Sequence, residues 1–123
     1  MSFRHLRSLA EQAVLDTIAG LPAALRGHAE QLPVLLEDWP RADPGNPADD
    51  ADLLGQFNGD PVGAGSGEAS PLPRSICLFL GPIWEFAGRE ESRFVEEVRV
   101  TFLHEFGHFL GLEEDELEDR GLL

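Results

Sequence analysis

Between residues 3 and 18, Phe3, Leu6, Leu9, Ala10, Ala13, Val14 and Ile18 recur at helical spacing, with Arg4, Arg7, Glu11 and Asp16 outside that stripe. The period predicts an amphipathic helix packed on a core, ended by Gly20 and Pro22. The pattern then shortens. "LPVLLEDWP" is an apolar run bounded by prolines at 33 and 40, and at that length it predicts a strand from Val34 to Glu37. "LLGQFNG" and "RSICLFLGPI" also have strand length, the second being β-prone from Ile76 to Leu80. The stretches 40–52 and 58–73 between these runs are rich in Pro, Asp and Gly and are expected to be loops. The glycines of the second form no phosphate-binding pattern, so a flexible surface connector is the better reading.

From about Glu90 the helical period returns. Val95, Val98, Phe102, Phe106 and Phe109 fall within one sector, with Leu103 and Leu110 beside it, and that sector is expected to pack on the sheet. His104 and His108 lie only about 40° apart on a different sector, joined by Glu97 and Thr101, with Glu105 at the boundary toward the apolar side. The expected order is therefore three strands between two helices, an α+β arrangement, and 123 residues make a single domain over 1–123 the simplest organisation.

Charge narrows the range of partners. Twenty-three acidic residues against nine basic ones give a formal charge of -14, which disfavours nucleic acid or an anionic membrane as a partner and favours attraction of cations. The N-terminal residues mix charged and apolar positions too closely for a signal-peptide core, and no apolar run approaches transmembrane length, so a cytoplasmic location is expected. Cys77, the single cysteine, sits in the apolar run "SICLFL" and is expected to act as a small buried hydrophobe.

The chemistry is concentrated in "TFLHEFGHFLGLEEDELEDRGLL". Two histidines at i and i+4 on one helical face can present ring nitrogens to one tetrahedral zinc ion. The residue after the first histidine is turned about 100° from it, too far to be an easy ligand but near enough to reach water at the metal. Glu105 is thus the candidate general base, and His104 and His108 are the candidate ligands. Gly111 stands where a helix commonly ends in a left-handed cap, and a turn there can bring the following acidic residues back toward the metal.

A catalytic zinc normally takes three protein ligands and a water. A ligand about twenty residues beyond the second histidine is one solution for such motifs. With the sequence ending at Leu123, the expectation falls instead on the spacing His-Glu-x-x-His-x-x-Gly-x-x-ligand, which counts to Glu114, with Glu113 or Asp115 next. Glu113, Glu116, Glu118 and Asp119 of "EEDELED" are better read as the solvated face of a short C-terminal helix. His5 and His28 lie in helix-like segments far from the motif in sequence and are left out of the site.

In this order, "VLLEDWP", "DLLGQFNG", "LPRSICLFLGPI" and "EEVRVTFLHEFGHFLGLEEDELEDRGL" resemble the small bacterial zincin-like metallopeptidases, sometimes described as minimal metalloproteases. The resemblance covers most of the chain, and only the last segment is individually specific. It implies a minimal zincin-like fold: a small mixed sheet of three to four strands packed against an N-terminal helix and the motif helix. It also implies a His, His, acidic zinc set matching His104, His108 and Glu114, where such proteins commonly carry aspartate at the third position. Met1 is the only methionine, so the Met-turn of metzincins is absent.

The implied activity is zinc-dependent hydrolysis of peptide bonds in a peptide or protein substrate. With no tyrosine and no arginine placed by sequence to stabilise an oxyanion, a second reading is a catalytically weak or inactive zincin scaffold serving as a peptide-binding or regulatory module. A third is hydrolysis of a non-peptide amide, since metal, base and water do not define the acyl group. An extended substrate would pair with an edge strand, for which "LLGQFNG" and "SICLFL" are the candidates.

Overall fold

In the computed structural model of the chain, which describes residues 2–40, 53–58 and 74–111, the predicted N-terminal helix is α1, Phe3–Ala19. Ser2 caps it by accepting the backbone N–H of His5, and Leu6, Ala10, Ala13 and Val14 are its buried stripe. Pro22 does more than end this helix. Its fixed φ of -54° leads directly into α2, Ala23–Glu30, which the sequence showed only as the helix-like segment around His28.

The first strand, β1 (Val34–Glu37), has the predicted bounds, and β2 (Gly55–Asn58) and β3 (Ser75–Phe79) follow. The sheet order is β1-β3-β2, with β1 parallel and β2 antiparallel to β3, a mixed three-stranded sheet. Among the described residues, the apolar run "SICLFL" is therefore the buried centre, and "LLGQFNG" supplies an edge.

The third strand stops one residue short of its predicted end. Leu80 opens a further helix, α3 (Leu80–Phe86), in which Leu80 and Ile83 are fully buried. An apolar run is as compatible with a buried helix as with a buried strand, and Pro82 sits in the first turn, where its missing N–H costs nothing. Gly88 and Arg89, both at positive φ, turn the chain into α4, Glu91–Leu110.

The middle of α4 packs as its period requires, with Val98, Phe102 and Phe106 fully buried. Its first turn differs from expectation: Phe94 fills the core, whereas Val95 is only half-buried. One side of α4 lies on α1 and another on β2 and β3, so the helix is held at the centre of the fold. Its end is the left-handed Gly111 (φ 75°, ψ 24°), whose N–H caps Gly107 and His108 carbonyls as the sequence suggested. The expected loops and the acidic segment with Glu113, Glu114 and Asp115 lie outside the described residues, apart from the loops' first residues. Among the described residues, no helix is long and apolar enough to cross a membrane.

Candidate metal centre

Because Phe94, Val98, Phe102 and Phe106 occupy the inner side of α4, the sector bearing the two histidines must face outward. His104 is half-buried and His108 exposed. Their rings meet edge to face, 4.7 Å between centroids, and their Nε2 atoms approach to 3.1 Å. Two nitrogens bound to a tetrahedral zinc at about 2.05 Å each are separated by about 3.3 Å, so these atoms already stand near the spacing of two ligands on one ion. The Glu105 carboxylate joins them: one ligand atom from each of the three residues lies within 4.8 Å of the others, a group able to hold a metal ion.

Glu105 differs sharply from the histidines in its surroundings. It is only 8% exposed, tucked under β2, and its carboxylate accepts the backbone N–H of Phe57. Burial pushes its carboxyl above the ordinary glutamate value, while His108, His104 and the Phe57 N–H pull the other way. The placement agrees with the helical wheel, which set Glu105 at the boundary between the two sectors.

Strand pairing explains why Phe57 is free to donate. The Phe79 N–H bonds to the Leu54 carbonyl, and alternation along an antiparallel pair then turns the backbone groups of Gly55 and Phe57 away from β3 toward the open edge. Gly55 lets that edge come close to α4. A Cβ there would stand 2.7 Å from Thr101 Cγ2 and 3.3 Å from both Glu105 Cγ and the Cys77 carbonyl oxygen. Sequence reasoning grouped Thr101 with the histidines, yet β2 covers it and it is buried.

The remaining histidines stand elsewhere. His5 pairs with Glu91 at the opposite end of α4, and His28 packs edge-on against the Phe109 ring at 6.2 Å. Arg74 lies over the same ring, 5.8 Å from its centroid. The candidate third ligand, Glu114, lies outside the described residues together with its alternatives Glu113 and Asp115.

Sequence reasoning missed the roles of Gly55 and the Phe57 N–H, and also an open cavity of about 390 Å³ that borders His104 and Glu105 and is walled in part by Leu54, Phe86 and Val100. The glycine inside a strand-length run was the one visible signal, since glycine there often marks a close backbone approach. Over residues 29–122 the sequence matches the family described as zincin-like metallopeptidase. No curated protein matches the chain.

Proposed function

Since the chain belongs to the zincin-like metallopeptidases, we propose that it is a zinc-dependent peptidase in which His104, His108 and Glu114 hold the metal and Glu105 is the general base. The observation that carries this reading is the convergence of the two Nε2 atoms at 3.1 Å with the Glu105 carboxylate inside the same group. Two imidazoles and carboxylates are a donor set suited to zinc. When bound, zinc supplies Lewis acidity, polarising a carbonyl and making water a better nucleophile.

The chain's own residues do the rest. Glu105, held by the Phe57 N–H, takes the proton from the attacking water and returns it to the departing amine. Its burial favours the first half of that task, because a carboxylate whose pKa is raised is a stronger base than an ordinary glutamate. The open edge of β2 offers backbone groups with which an extended peptide can pair beside the metal face. The Gly55 carbonyl is one of them.

The test joins metal content by mass spectrometry to cleavage of a diverse peptide library, for the wild type and Glu105→Gln. The expected result is zinc in both proteins and cleavage by the wild type alone, with the variant down at least about 100-fold. Zinc in both with cleavage in neither defeats the peptidase reading and leaves a binding module. A wild type without metal removes the site itself. For the third ligand, Glu114→Ala should weaken zinc affinity far more than Glu118→Ala in a chelator competition, and equal losses would return both to the solvated face.

A further inference from the structure

The cavity beside His104 and Glu105 has an uneven lining. Leu54, Val100 and the ring of Phe86 make its walls apolar, and Phe86 keeps 66% of its surface exposed although it is a large hydrophobe. One wall carries a carboxylate, that of the half-buried Glu97, on the same sector of α4 as the histidines. Seven residues at the rise of a helix put Glu97 about 10 Å along the axis from His104.

The nearby cations on α4 are committed elsewhere. Arg93, one turn before Glu97, pairs with Glu90 at 3.3 Å, and Arg99 pairs with Glu96. Arg89, in the turn between α3 and α4, pairs with Glu85 at 2.9 Å. Among the described residues the Glu97 carboxylate has no hydrogen-bond or ion-pair partner. A charge on an apolar wall gains most from a ligand that brings both the opposite charge and a hydrocarbon stem.

We infer that this cavity is the specificity pocket for a lysine or arginine side chain of the peptide substrate, with Glu97 as the residue that determines the preference. The inference rests on the peptidase reading only in taking a peptide as the ligand. The methylenes of the basic side chain lie along Leu54, Val100 and Phe86, and its cationic head meets Glu97. A four-carbon stem together with the two methylenes of the glutamate spans the distance from a backbone held at the metal face. The formal charge of -14 further favours cationic peptides at long range.

Binding to the full-length, zinc-loaded Glu105→Gln protein tests this without turnover. The probes are acetylated, amidated pentapeptides that differ only by lysine, arginine, norleucine or glutamate, with the substituted position scanned along the peptide, and the readout is calorimetry. At one position lysine and arginine should bind roughly three- to tenfold more tightly than norleucine. Adding Glu97→Gln should erase that difference while norleucine binding persists, and Glu97→Lys should turn the preference toward glutamate. Equal binding of lysine and norleucine peptides, a lysine preference that survives Glu97→Gln, or no binding by any peptide overturns the inference. A lysine preference lost with Glu97, in a protein whose Glu105-intact form cleaves nothing, supports the pocket and removes only the peptidase reading.

Discussion

Residues one position apart on α4 live in different worlds: His104 faces the open side, while Glu105 is buried and fastened to a strand. The about 100° that separates successive helical side chains is the whole cause, and it was visible in the sequence as soon as the helix was. Cys77 is buried for another reason, since β3 is covered on both faces. It is buried at the centre of the sheet, and desolvation, with a smaller contribution from Glu37, pushes its thiol from 9.0 to about 11. Iodoacetamide at pH 8 should therefore label Cys77 slowly in the folded protein and quickly in denaturant; equal rates would refute its shielding. Folding that raises a thiol pKa keeps the proton on where the unfolded chain has lost it. This contribution to stability is complete below pH 9.0 and is lost as pH rises to about 11, so urea midpoints measured across that window should fall more steeply than those of Cys77→Ala.

The long, strongly periodic elements were the legible ones. α1 and α4 have apolar faces several turns long, and β1 is bracketed by prolines at 33 and 40. α2 and α3 escaped because eight and seven residues are too few for period to speak clearly, and α3 continues an apolar run without a break. The contact between β2 and α4 decides how closely the edge strand approaches the histidine face, and Gly55 leaves no room there for a Cβ. Gly55→Ala forces Thr101, Glu105 or the β3 backbone to shift, at a cost of about 1–3 kcal/mol. A melting temperature lower by roughly 3–12 °C, with cleavage reduced further than the stability loss explains, is the expected result. An unchanged melting temperature would mean that the two elements are not in close contact.

At the scale of the whole molecule, the described core joins α1, α3 and α4 to β3 in a small domain, and a metal ion bound at its surface can add noticeably to stability. An ion bound only by the folded protein stabilises it by about 2.7 kcal/mol at one hundred times its dissociation constant. Differential scanning calorimetry should accordingly record a higher transition in excess zinc and a lower one after chelation, and His104→Ala should abolish the difference. A transition indifferent to zinc in the wild type would argue against a metal at His104 and His108. The net charge of -14 acts over the same scale, raising the local concentration of cations without choosing a site for them.

Local spacing along one helix is a property of the chain itself, and by that route the sequence determined the histidine pair, the rotated glutamate, the apolar face beneath them and the glycine that ends the helix. It also carried the family, because those spacings are requirements of metal geometry. What only the tertiary structure decided involves residues far apart in the chain: that "LLGQFNG" is an edge and "SICLFL" the centre, that the Phe57 N–H holds Glu105, and that Glu97 shares a cavity with Leu54 and Phe86. Pairing and packing between distant segments are selected by the shape and burial of the whole fold, and no periodicity within one segment encodes them.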